Sequence, residues 1–153
     1  MTPRERIAEL GLRIPPPAPP KGNYFPSRLR AGQLWVSGTT SRTADSPGLL
    51  GVVGDDVTVP DAAAAARTAA LSLLGAVDSA VGLDAVDALL HLRGYVRAVP
   101  EFGEHPAVID GASGLLLDVF GPDRGAHART AIGVASLPGG ACVELELVLA
   151  VAR

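Results

Sequence analysis

A chain of 153 residues has the length of one domain: enough to bury a core, too short for two domains of ordinary size. It is 48% hydrophobic but only 4% aromatic, so Val, Leu and Ala must build the core. Such small side chains bury little area each, at about 25 cal/mol per Å², and association into an oligomer is an expected source of stability. The net charge of −3, with Lys21 the one lysine, argues against a broad phosphate-binding surface and against nucleic acid as a partner.

Along the chain, Pro3 to Leu12 is predicted as a short helix, and Ile14 to Pro20 as an extended, proline-rich strap that cannot donate most of its amides. Residues 1–20 are thus expected as a lead-in to a domain spanning 21–153. Tyr24 to Leu29 and Leu34 to Ser37 read as a hairpin about an Ala31-Gly32 turn. Thr39 to Asp56 reads as loop around a weak strand near Leu49 to Val53. Pro60-Asp61 opens an Ala-rich helix to about Val81, with Ala62, Ala66, Ala69, Leu73, Ala76, Val77 and Ala80 as its apolar stripe.

Leu89 to Val99 alternates as a strand, with Leu90, Leu92, Gly94 and Val96 on the drier face. A second helix runs from Pro106 to Phe120 and ends at Gly121-Pro122. Two strands follow, Arg129 to Ser136 and Cys142 to Val151, read as a hairpin joined by Leu137 to Ala141. The order predicts one mixed sheet with both helices on one face. In the last strand Val143, Leu145, Leu147, Leu149 and Val151 face the helices, while Cys142, Glu144, Glu146, Val148 and Ala150 form a half-dry row suited to a subunit interface.

Charge is sparse in these last strands, which singles out Arg129, Glu144 and Glu146. Arg129 shares a face with Ala131, Gly133 and Ala135, leaving a lane in which a guanidinium can grip a planar carboxylate; a surface ion pair is the alternative. Glu144 or Glu146 can hold a water or relay a proton, or simply face solvent. In a hairpin pairing, Arg129 and Glu144 lie about 20 Å apart along the sheet, so a site using both takes one from a neighbouring subunit. Tyr24 can close a pocket or pack against the strap. His91, His105 and His127 lack ligand spacing, so no metal is expected, and no nucleotide-binding glycine pattern implies a cofactor. Ser113, His127 and Asp118 can be listed as a triad, but any chain of this length offers one. Cys142 has no catalytic partner in sequence and forms no intrachain disulfide. With no apolar run of about 18 residues, and no apolar segment after Met-Thr-Pro-Arg-Glu-Arg, the expected place is the cytoplasm, away from membranes.

The run Ala128-Arg-Thr-Ala-Ile-Gly-Val-Ala-Ser-Leu-Pro-Gly-Gly-Ala-Cys-Val-Glu-Leu-Glu146 resembles the signature of the RidA/YjgF family of enamine and imine deaminases. Gly22-Asn-Tyr24 and Leu34-Trp-Val-Ser-Gly38 extend the resemblance to roughly residues 20–153. Gly111-Ala-Ser113, Phe120-Gly121 and His127-Ala-Arg129 are similar to a longer branch of that family. The resemblance implies a chorismate-mutase-like α/β (α+β) fold, a homotrimer with clefts between subunits, and hydrolysis of a 2-imino acid to a 2-keto acid and ammonia without cofactor or metal. It further implies that Arg129 binds the substrate carboxylate and Glu144 the attacking water, with Tyr24 and the Gly38 backbone lining the pocket. Ala131 stands where deaminase members commonly carry Cys, and Asp110 where relatives often have Asn. Two other outcomes stay open: deamination of a different, specialised imine, and a non-catalytic trimer that binds a small carboxylate.

Overall fold

The computed structural model describes residues 1–152. Its elements are α1 (Pro3–Glu9), β1 (Ser27–Arg30), β2 (Gln33–Thr40), α2 (Val59–Ala80), β3 (Val86–Arg97), α3 (His105–Arg124), β4 (Ala128–Val134) and β5 (Val143–Val151). The strands form one mixed sheet ordered β1-β2-β5-β3-β4, with α2 and α3 on a single face. The expected architecture of one sheet with two helices on one side is therefore present. The topology of its last strand is not the expected one.

β4 and β5 do not form a hairpin. β4 runs parallel to β3 at the sheet edge, and β5 is inserted between β2 and β3, antiparallel to both. α3 carries the chain from the end of β3 back to the start of β4, and residues 135–142 then pass from β4 across β3 to β5 in place of a tight hairpin turn. The Leu49 to Val53 segment forms only isolated bridges, Leu50 with Ala141 and Val53 with Val57 and Ala98, and no strand.

Local chemistry explains most element ends. Thr2 and Glu5 form a reciprocal capping box for α1. Ala31 and Gly32, at φ +50° and +74°, make the two-residue turn between β1 and β2, with Arg30 opposite Gln33. Thr58 accepts the Asp61 amide at 3.2 Å to start α2. Gly121 adopts φ +78° inside α3, the break expected there, and one further turn follows it to Arg124. Ladder irregularities between Val86 and Ala88 and between Leu89 and His91 shift the alternation of β3, so Leu89 points into the core and Leu90 outward, the reverse of the simple period-two reading.

The core lies between helices and sheet. Leu145, Leu147 and Leu149 of β5 and Leu92 and Val96 of β3 pack against Ala66, Ala69, Leu73, Ile109, Ala112 and Leu116, all buried. The Ala-rich stripe of α2 is buried as expected except at Ala80, the last residue of the helix, which is exposed. Small residues let the two helices touch backbone to backbone: a β-carbon at Gly111 would collide with the carbonyl of Ala63.

The lead-in packs on the helix layer. Arg4 pairs with Asp78, the Arg4 amide donates to Asp84 at 3.1 Å, and Arg6 donates to the Asp118 carbonyl at 2.8 Å. The strap then crosses α2, where a β-carbon at Gly75 would strike the Pro15 carbonyl. No helix of the described residues is long and apolar enough to cross a membrane.

Candidate functional site

Strand alternation divides the candidate residues between two faces of the sheet. Arg129 sits opposite Leu92, a core residue, so its side chain rises on the helix-covered side. Glu144 sits opposite Tyr95 and Thr40, on the open side. Along β3 their partners are three positions apart, about 10 Å, and the two strands are about 10 Å apart across β3. The separation along one strand pair that a hairpin would give is replaced by a stronger division, since the side chains point to opposite faces.

On the covered side, β4 is the edge strand and α3 overhangs it. Arg129 Nη1 donates to Asp110 Oδ1 at 2.7 Å and to Ser113 Oγ at 3.2 Å, and Nη2 reaches the Pro106 carbonyl at 3.4 Å. Ser113 Oγ lies 2.9 Å from His127 Nε2, and His127 Nδ1 lies 2.6 Å from the Gly125 carbonyl. A carbonyl only accepts, so Nδ1 donates to Gly125, while the Ser113 oxygen accepts from Arg129 and stands within hydrogen-bond reach of Nε2. Ala131, half-buried, lies two residues along the same side, followed by Gly133 under the His105 ring.

Ser113 and His127 do meet, but Asp118 does not join them; it faces Arg67 at 3.6 Å. The unit they form serves Arg129. Sequence reasoning missed it, although a signal was present: Gly111-Ala-Ser113 and His127-Ala-Arg129 are two separate motifs of the longer branch, and the fold brings them into one hydrogen-bonded group.

On the open side, Glu146 is committed, accepting from Arg93 at 3.0 Å and from the Tyr95 hydroxyl at 2.6 Å. That hydrogen bond, with burial and the charge of Glu146, holds the Tyr95 phenol above its ordinary pKa. Glu144 has no hydrogen-bond partner among the described residues. Burial, and then the nearby charge of Glu146, push its carboxyl above the usual carboxylate range. Gly38 lies directly against it: a β-carbon at 38 would stand 2.6 Å from Glu144 Oε1. The Ser37-Gly38 position falls where the β2–β5 ladder breaks register, between Val36 and Thr39. Ser37 also ties in the segment before β1, its hydroxyl donating to Phe25 O at 2.6 Å and its amide to Pro26 O at 2.9 Å. Exposed Tyr24 lies in that segment; Gly38 and Glu144 are in contact on the open side, and Arg129 with Ala131 stands on the covered side.

Neither of two hollows among the described residues unites them. The open face holds a hollow of about 20 Å³ lined by Trp35, His91, Arg93, Glu146 and Val148, room for one water. A wider hollow of about 410 Å³ lies between the Ser41 to Leu49 loop and α2, lined by hydroxyls and by none of the candidate residues. Cys142 is buried, its thiol pushed up to about 11 by desolvation, which suits an inert side chain.

Comparison with known proteins matches residues 4–150 to the family described as "YjgF/chorismate mutase-like, putative endoribonuclease". Protein TCP17 of Trypanosoma cruzi is 39% identical over 141 residues, covering 92% of this chain and 88% of that protein. Among solved structures, a protein of unknown function from Agrobacterium tumefaciens shares 35% identity at a TM-score of 0.89, over 99% of this chain and 93% of its own. A "putative endoribonuclease" from Shewanella oneidensis shares 31% identity at a TM-score of 0.94, over 99% of this chain and 100% of its own. Sequence, fold and the Arg129 and Val143-Glu-Leu-Glu146 signature agree: the chain belongs to the YjgF/chorismate-mutase-like family.

Proposed function

We propose that the chain is a cofactor-independent hydrolase of 2-imino acids and their enamine tautomers, working as a homotrimer in the cytoplasm, with each site formed between two subunits. The observation that carries this reading is the placement of Arg129 and Glu144 on opposite faces of one sheet, which a site using both can satisfy only with a second copy. The open face suits such contact, since Trp35 and Ile132 are 48% and 46% exposed on it.

In this reading Arg129, fixed by α3, binds the ligand carboxylate through its guanidinium edge. Glu144 of the adjoining subunit holds a water against the imine carbon, with Tyr24 and the Gly38 backbone closing the pocket and Ala131 lining it. The water oxygen bonds to that carbon while Glu144 takes its proton and passes it to the nitrogen. Collapse of the resulting carbinolamine breaks the carbon–nitrogen bond and releases ammonia and a 2-keto acid, so one water is consumed and nothing is oxidised. A carboxyl held above its usual range holds a proton more readily than an ordinary glutamate, which suits it to the relay.

The test is release of ammonia or keto acid from imines generated in place by a serine or threonine dehydratase. Wild type is expected to exceed the spontaneous rate, and Arg129→Ala and Glu144→Gln, at matched folding and assembly, to fall back to it. No acceleration by wild type sinks these substrates and favours a different imine or a carboxylate-binding trimer without turnover. The endoribonuclease description of the family predicts RNA cleavage. The net charge of −3 and the paired acids of the open face weigh against an RNA backbone there.

A further inference from the structure

We propose that Asp110 is an internal counter-ion to Arg129 that sets the selectivity of the site against simple carboxylates; this rests on Arg129 being the group that receives the ligand. The groups around the guanidinium differ in kind. Ser113 and the Pro106 carbonyl are neutral, belong to α3 and hold the arginine from behind, Ser113 being itself fixed by His127. Asp110 is the charged one, and it makes the shortest bond, 2.7 Å. Its side chain is 69% exposed against 23% for Arg129, and it makes no other hydrogen bond among the described residues.

Nη1 has both its hydrogens committed, to Asp110 and Ser113, so a carboxylate approaching from solvent is left the remaining edge of the guanidinium, beside an Asp110 charge that repels it and that already offsets the positive charge that would draw it in. Asp110 therefore weakens every monoanionic carboxylate relative to the same molecule with its charge masked. The ligands retained are those whose remaining contacts, made across the subunit boundary, offset that loss. Asp110 acts on selectivity, as a positioning group on Arg129, and not on the reacting atoms.

The experiment is calorimetric titration of the full chain, in its native assembly, with pyruvate and with methyl pyruvate. Asp110→Asn keeps the shape and an acceptor oxygen and removes the charge; Asp110→Ala, as a second variant, removes both. Pyruvate is expected to bind about two- to fivefold more tightly to Asp110→Asn, the range of a largely exposed charge pair. Methyl pyruvate should bind unchanged, and the gain with pyruvate should shrink as salt is added. If both Asp110 variants bind pyruvate as wild type does while Arg129→Ala loses it, Asp110 has no such role and the reading of Arg129 survives. If Arg129→Ala binds pyruvate like wild type, or if no variant binds it, the reading of Arg129 fails and the Asp110 inference falls with it.

Discussion

The two faces of the sheet are built from the same strands by opposite rules. On the helix side, every second residue of β5 from Val143 to Leu149 is buried to within 1% of full enclosure. One position along, Glu144, Glu146, Val148 and Ala150 remain half-buried, mixing carboxylates with small apolar groups. The covered face has finished packing within one chain, and the open face has not. The candidate residues fall where covering gives out: Arg129 on the last strand under α3, and Glu144 beside the ladder break at Ser37-Gly38. A side chain deep in the covered face has no access to a ligand, and Glu146, further along the open face, is already committed to Arg93 and Tyr95.

The contrast is broken most severely from the covered side. Leu147→Ala should cost roughly 2–5 kcal/mol in urea unfolding, because the cavity it leaves cannot collapse between helices and sheet. Val148→Ala, its neighbour on the open face, should cost under about 1 kcal/mol in the isolated fold. If copies of the chain cover that face, the Val148 cost alone should depend on protein concentration, since assembly stabilises by mass action. Equal, concentration-independent losses at both positions would erase the distinction between the faces.

A second test acts on assembly directly. Trp35→Asp is expected to convert the native assembly to monomer at micromolar concentration, read by light scattering after gel filtration, with helix content unchanged. A mass identical to wild type would mean that Trp35 lies outside any contact between copies.

The smallest effect concerns protons. Because burial raises the Glu144 carboxyl in the folded state, that state holds its proton to higher pH than the unfolded chain, whose glutamates titrate near about 4.3. Between the two values the folded state binds more protons, so stability falls as pH rises and the penalty is complete above the folded value. Glu144→Gln should therefore melt higher than wild type at pH 7 and equally at pH 3. A gain of the same size at both would attribute the effect to packing instead.

Much of this was legible in the sequence because it follows from local rules. The break at Gly121, the Ala31-Gly32 turn, the stripe of α2 and the alternation of β5 are each decided by residues near in the chain. The position of β4 was not, since strand neighbours are chosen by crossover geometry; two strands five proline- and glycine-bearing residues apart read naturally as a hairpin. Leu90 was misplaced for a related reason, because ladder irregularities invert the phase of β3 without a marker in residue type. Arg129 and Glu144 stood out as rare charges in apolar strands. Ser113 and His127 did not, since a serine and a histidine 14 positions apart become partners only when the end of α3 and the start of β4 are brought together.

The insertion of β5 between β2 and β3 also bears on how the molecule is made. Until residues 143–151 have left the ribosome, the β1–β2 hairpin and the β3–α3–β4 unit have no strand in common, and each presents a bare inner edge of unpaired amides and carbonyls. The sheet closes only when β5, the last of its strands in chain order, slides into its centre. The interval before that closure is when the nascent chain is most exposed to mispairing with its neighbours and most in need of a chaperone.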